Sequence, residues 1–199
     1  MKEDFSLKEN YEKPKELYVG SKTRGISELE PRQENVRDSR EGPVVFAARD
    51  KALASIFLID GHDDDWTSIG YFNDVPYVVI AKDRDAFVAN DRGGSLYTVS
   101  SAPFNTDVHK GMGDKEWTSS VSVQPLSEER IDSTLDAMLA NGVQVYFMED
   151  KVFHEFVSRL DESPLEAIKL LSESVSENQR HNNHVVFDKE WFRSLETEE

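Results

Sequence analysis

The first hundred residues alternate between short apolar runs and polar stretches, a pattern typical of strands joined by turns and loops. Residues 17–19 form the first apolar run and predict a short strand. Pro43 opens a second run at 44–47, whose β-branched residues predict a buried strand. Asp50 then stands where an N-cap belongs, which predicts a helix with its apolar face made by Leu53, Ile56 and Phe57.

The middle of the chain predicts further strands. Residues 69–80 read as a strand, an Asn-Asp turn and a second strand, which together make a hairpin. Residues 83–90 predict one helical turn or a loop. Residues 95–99 follow a Gly-Gly break and predict another strand. Residues 116–123 alternate in polarity, which is the period of a half-exposed strand.

The last third of the chain has helical periodicity. The apolar residues from Ile131 to Leu139 fall at helical spacing, and Asn141-Gly142 supplies a stop. Residues 143–148 predict a strand and residues 152–160 an amphipathic helix. Ser163 to Glu166 reads as a capping box, and 184–187 as a short strand. We therefore expect an α+β fold, with a flexible arm at 1–15 and a single domain at 16–199 whose helical part starts at about 127.

Composition restricts the function. The 199 residues include 39 acidic and 23 basic side chains, giving a net charge of -16. A surface this acidic repels phosphates, which argues against extended nucleic-acid binding and leaves solubility, DNA mimicry or a basic protein partner. There is no cysteine, so disulfides, thiolate catalysis and cysteine-ligated zinc are excluded. No apolar run approaches the ~20 residues that cross a bilayer, and residues 1–16 lack the apolar core of a secretory signal. We expect a cytoplasmic protein without membrane contact.

Three segments carry a family resemblance. They are Leu17-Tyr18-Val19-Gly20-Ser21, residues 42–57, and residues 116–125. Their order and spacing resemble the ADP-ribosyltransferase superfamily, in its poly-ADP-ribose-polymerase and tRNA 2'-phosphotransferase branch. The resemblance covers residues 17–125 and implies a split antiparallel and mixed sheet with flanking helices. It also implies NAD as the cofactor.

The resemblance assigns roles to individual residues. Gly20 matches the glycine whose backbone holds the nicotinamide amide, and Ser21 matches a neighbouring polar contact. Glu116 matches the catalytic glutamate that orients the ribose and stabilises developing positive charge. Val19 stands where the family has His, so a ribose hydrogen bond is lost.

A second group of residues concerns the aromatic and phosphate contacts. Val45 stands where the family has the Tyr that stacks on nicotinamide, and Phe46 follows it as the family pattern requires. Tyr18 or Tyr71 could supply the missing ring. In the tRNA 2'-phosphotransferase branch, arginines hold a 2'-phosphate, and Arg32 lies in the matching region. The arginines of that region are Arg24, Arg32, Arg37 and Arg40. Ion pairs with nearby acidic residues are the alternative role for this group.

The sequence leaves three functions open. The first is a divergent, NAD-dependent transferase that moves ADP-ribose, with Glu116 catalytic and Gly20, Ser21, Tyr18, Phe46 and Arg32 binding the nucleotide. The second is a catalytically degenerate binding or regulatory module of the same fold. The third is an acidic module that binds a basic protein. No metal site is expected, because the consecutive residues His62-Asp63-Asp64-Asp65 rarely point at one centre.

Overall fold

The larger of two β-sheets has five strands, all antiparallel. The computed structural model describes residues 12–33, 42–59, 66–72, 74–106, 112–163, 166–167 and 169–171. The strand order in this sheet is β6-β2-β1-β5-β7. The strands are β1 (Glu16–Ser21), β2 (Val45–Ala48), β5 (Gly94–Ser100), β6 (Glu116–Ser119) and β7 (Ser127–Ile131).

The smaller sheet has three strands in the order β3-β4-β8. Strands β3 (Thr67–Phe72) and β4 (Val75–Ile80) form the expected antiparallel hairpin, and β8 (Gln144–Phe147) pairs with β4 in parallel. The hairpin turns at Asp74, whose φ of 61° lies in the left-handed region that Asp tolerates better than most residues. The hairpin prediction is therefore confirmed.

Side-chain caps start three of the helices. Asp50 accepts a hydrogen bond from the Leu53 N–H at 2.8 Å, and Asp83 accepts one from the Ala86 N–H at 3.0 Å. Ser133 does the same for the Asp136 N–H at 3.1 Å. Each cap satisfies a backbone donor that has no partner within the helix. The helices are α1 (Lys51–Ile56), α2 (Arg84–Asn90), α3 (Thr134–Ala140) and α4 (Asp150–Glu162).

The core has three parts. The largest apolar cluster joins both sheets through α1 and α3, and it includes Leu96 and Ile131 from the first sheet and Val78 and Val145 from the second. A second cluster covers the opposite face of the five-stranded sheet; it contains Leu17, Val45, Tyr97 and Trp117. A third lies between the smaller sheet and α4; it contains Tyr77, Tyr146, Phe153 and Phe156.

The predicted α+β class, with antiparallel and mixed sheets, is confirmed. The part from about 127 is not uniformly helical, because it opens with β7 and includes β8. Ile131 was wrongly placed in a helix, since it pairs with Gly94 at the end of β7. Residues 84–90 form a helix rather than a single turn or loop. The alternating stretch 116–123 is a strand only as far as Ser119.

Several predictions fall on residues that the structure does not describe. The proposed strand at 184–187 lies outside the described residues, as does most of the expected arm at 1–15. After Ser163, residues 166–167 and 169–171 are helical, and the Glu166 N–H donates to the Ser163 carbonyl at 3.0 Å. None of the described helices is both long and apolar enough to cross a membrane.

Candidate functional site

A cleft opens where strands β1 and β2 stop pairing. Tyr18 pairs with Ala48, and this is the one register position that joins the two strands. By contrast, β1 pairs with β5 along its whole length, from Glu16 to Ser21. Beyond the Tyr18 pair, the end of β1 and the start of β2 line a cavity of about 170 Å³. The interruption of the sheet therefore creates the cleft.

The segment after β1 closes the far side of this cleft. Leu29 forms an isolated bridge with Val123, and Arg32 forms one with Val44, the residue before β2. The Arg32 N–H donates to the Val44 carbonyl at 2.9 Å. These bridges hold residues 29–32 beside the gap, so that a loop and two strands together form the walls.

Four of the five predicted nucleotide-binding residues line the cleft. Gly20, Ser21, Phe46 and Arg32 all contribute to its walls, although they lie in three separate stretches of the sequence. Val19 and Val45, the two positions where the family has His and Tyr, line it as well. The resemblance thus selected residues that the fold brings together.

Gly20 also has a packing role that the resemblance does not explain. A Cβ built at position 20 would lie 2.0 Å from the Ala54 carbonyl oxygen of α1 and 3.3 Å from the Phe57 Cβ. The helix can approach β1 this closely only because Gly20 has no side chain. Close helix packing is therefore sufficient to explain a glycine at this position.

Tyr18 lies outside the cleft. Its ring packs against the large apolar cluster on the helix side of the sheet. The Lys51 Nζ is 5.9 Å from the centroid of the Tyr18 ring, within range of a cation–π contact. The structure therefore places Tyr18 beside α1.

Glu116 also lies away from the cleft. It begins β6 and pairs with Ala48, whereas Ser119 pairs with Val45 at the cleft end of β2. Three residues of strand, at about 3.3 Å each, separate these two positions along β2. Glu116 therefore lies at the end of β2 away from the cleft. Glu116 is not among the residues that line the cleft.

Glu116 is nearly enclosed, with 6% of its surface exposed. Its Oε2 accepts a hydrogen bond from the Met112 N–H at 3.1 Å. The Tyr71 hydroxyl is buried close to it and has no hydrogen-bond partner among the described residues. Burial, reinforced by the charges of Asp50, Glu116 and other nearby carboxylates, raises the pKa of Tyr71 far above its usual value. Tyr71 therefore stays protonated and lies near Glu116, away from the cleft.

The arginines proposed to bind phosphate do not form one group. Arg24 donates to the carbonyls of Ile131 at 2.7 Å and Gly94 at 3.2 Å, so it fastens its loop to the edge of the sheet. Arg32 lines the cleft. Arg37 and Arg40 lie outside the described residues.

Comparison with known proteins adds no relative. No family model, no curated protein and no solved structure matches this chain. The resemblance to ADP-ribosyltransferases thus stays a prediction carried by the motifs alone.

The sequence did not single out three polar residues of the cleft. Thr23, Glu28 and Glu30 line it together with the apolar residues Ile26 and Leu29. A signal was present in the sequence, since Glu28 and Glu30 flank an apolar residue with the period of an extended chain. The described residues contain no group of three His, Asp or Glu side chains placed to hold a metal ion.

Proposed function

We propose that this chain is a catalytically degenerate binding module of the ADP-ribosyltransferase type, which takes one ring of NAD or a related nucleotide into the β1–β2 cleft. One observation supports the proposal above all. Gly20, Ser21, Phe46 and Arg32, chosen as binding residues from sequence motifs, line a single cleft.

The size of the cleft decides how much of a nucleotide it can hold. Pockets that enclose drug-sized ligands measure roughly 300–1,000 Å³. The cleft measures about 170 Å³, which suits a single ring or a ribose and not a whole dinucleotide. The remainder of a bound nucleotide would therefore stay in solvent.

The position of Glu116 favours binding over ADP-ribose transfer. Transfer requires a carboxylate beside the ribose to stabilise positive charge as the glycosidic bond breaks. Glu116 pairs with Ala48, at the end of β2 away from the cleft, and the cleft residues Val19 and Val45 offer no side-chain hydrogen bond. A ligand in the cleft would contact the lining residues, which include Ser21 and Thr23, but not the predicted catalytic acid.

Calorimetric titration with NAD, ADP-ribose and nicotinamide riboside tests this proposal. The expected result is binding of at least one probe, with stabilisation of about 2.7 kcal/mol at a ligand concentration of 100 Kd. The variant Ser21→Tyr fills the cleft and should abolish binding. Thr98→Tyr is the matched control, since it replaces a hydroxyl residue at another half-buried strand position, one that does not line the cleft.

Two results would overturn the proposal. One is the absence of binding for every probe at millimolar concentration. The other is unchanged binding in Ser21→Tyr, which would place the ligand elsewhere. Circular dichroism of both variants would show that they remain folded.

A further inference from the structure

The wall of the cleft opposite β1 carries two carboxylates. Glu28 and Glu30 lie on either side of Leu29, and all three residues line the cavity. Leu29 is buried and fixed in place by two backbone hydrogen bonds with Val123, at 2.8 and 2.9 Å. Since both glutamates line the same cavity, a ligand in it lies close to two carboxylates.

The residues that line the cleft carry more negative than positive charge. Within the described part of the chain, neither Glu28 nor Glu30 forms an ion pair, and Arg32 is the single cationic side chain among the lining residues. Two carboxylates and one guanidinium leave the lining with a net negative charge. The whole chain adds to this field with its net charge of -16.

We propose that the cleft selects ligands without phosphate, and prefers an uncharged or cationic ring, such as a nucleoside or a pyridinium, over its phosphorylated forms. This inference rests on the proposed function, because it concerns the same cleft. The lining offers Ser21 and Thr23 as hydroxyl partners for a ribose, and Val19 and Val45 as apolar walls for a ring. A phosphate bound there would bring negative charge beside Glu28 and Glu30.

The expected size of the preference follows from the exposure of these groups. Glu28 and Glu30 are exposed, so their interaction with a ligand charge a few ångströms away is damped by water. At low salt each phosphate charge should weaken binding on the order of fivefold, and the effect should shrink as the Debye length shortens.

Three probes that share one ring test the inference. They are nicotinamide riboside, which is cationic, its mononucleotide, which adds one phosphate, and NAD, which carries a diphosphate. At 20–50 mM salt and neutral pH we expect nicotinamide riboside to bind more tightly than either phosphorylated probe. The mononucleotide and NAD should be weakened to a similar extent, because a phosphomonoester and a diphosphate each carry about two negative charges. The affinities of the three probes should become nearly equal in the double variant Glu28→Gln/Glu30→Gln, which removes the two carboxylates and keeps side chains of similar size.

A matched control separates the local effect from the overall charge. Glu16→Gln/Glu149→Gln changes the net charge by the same amount at two exposed residues that do not line the cleft, and it should keep the wild-type order. Two results would overturn the proposed selectivity without contradicting the proposed function. One is that NAD binds more tightly than nicotinamide riboside. The other is that the order of affinities is unchanged in Glu28→Gln/Glu30→Gln. Failure of all three probes to bind would overturn the proposed function and this inference with it.

Discussion

The Cα of Gly20 lies against the Ala54 carbonyl, so close that a methyl group at position 20 would be 2.0 Å from that oxygen. The contact joins the end of β1 to the middle of α1. It involves a backbone atom, which cannot rotate away as a flexible side chain can. The wall of the cleft and the position of the helix therefore depend on the same glycine.

Gly20→Ala should destabilise the protein by about 1–3 kcal/mol, because α1 must move to admit the new methyl group. The measurement is the urea midpoint and slope followed by circular dichroism. Val121→Ala, at an exposed position, provides a control that should change little. A Gly20→Ala variant as stable as the wild type would show that the helix does not press on β1.

Glu116→Gln should leave ligand affinity at the cleft within about twofold of wild type, since the carboxylate is not part of the lining. Gln keeps an oxygen for the Met112 N–H, whereas Glu116→Ala removes that acceptor and should cost about 1–2 kcal/mol of stability. Titration with nicotinamide riboside and urea unfolding of both variants provide the two readouts. A large loss of affinity in Glu116→Gln would place the carboxylate at the ligand after all.

Glu128 should make stability depend on acid pH. Its carboxylate accepts hydrogen bonds from the Ser95 Oγ at 2.7 Å and the Gly25 N–H at 2.9 Å, and these lower the pKa of Glu128 below the usual glutamate value. A carboxyl whose pKa is lower in the folded state stabilises the fold above its unfolded pKa, and that contribution is lost as pH falls through the folded pKa.

The stability difference between wild type and Glu128→Gln should therefore be largest at neutral pH and shrink below about pH 4. Urea unfolding from pH 7 to pH 3 measures it. Glu129→Gln is the neighbouring control, because Glu129 is exposed and pairs with Lys51 instead. If the stability of the two variants depended equally on pH, the pH-dependent contribution could not be assigned to Glu128.

The pair Gly70 and Tyr77 should show strong coupling. They lie opposite each other in the β3–β4 hairpin, and a Cβ at position 70 would be 2.6 Å from the Tyr77 ring. Gly70→Ala should cost about 1–3 kcal/mol through this clash. In a Tyr77→Ala background the ring is absent, so the double variant should be more stable than the sum of the two changes implies, by about 1 kcal/mol or more. Strict additivity would show that the ring does not cover Gly70.

Local signals in the sequence predicted most of the elements, because they depend on neighbouring residues. The cap at Asp50 is an example, since its carboxylate accepts a hydrogen bond from the N–H three residues ahead. Ile131 is an example of a residue whose secondary structure depends on a distant partner. It is buried in the same cluster as Leu135 and Met138, so the spacing correctly indicated shared burial. The chain nevertheless changes from strand to helix between them, because Ile131 pairs with the distant Gly94.

The candidate site was predictable to the extent that it lies within motifs. Gly20 and Ser21 stand in one pentapeptide, and the fold brings Arg32 beside them. Glu28 and Glu30 were missed, because they line the cleft only through the bridge of Leu29 to Val123, almost a hundred residues away. Glu116 was grouped with the cleft by motif order, which carries no information about the end of β2 with which it pairs.

The order of the strands has a consequence for synthesis on the ribosome. The hairpin β3–β4 emerges early, yet its parallel partner β8 follows only after β5, β6 and β7 have completed the other sheet. A nascent chain that ends before Gln144 has one unfinished sheet, and a chain that ends before Gly94 has two. The three-stranded sheet can be completed only after the five-stranded sheet, so the hairpin edge stays open to wrong partners until β8 has been made.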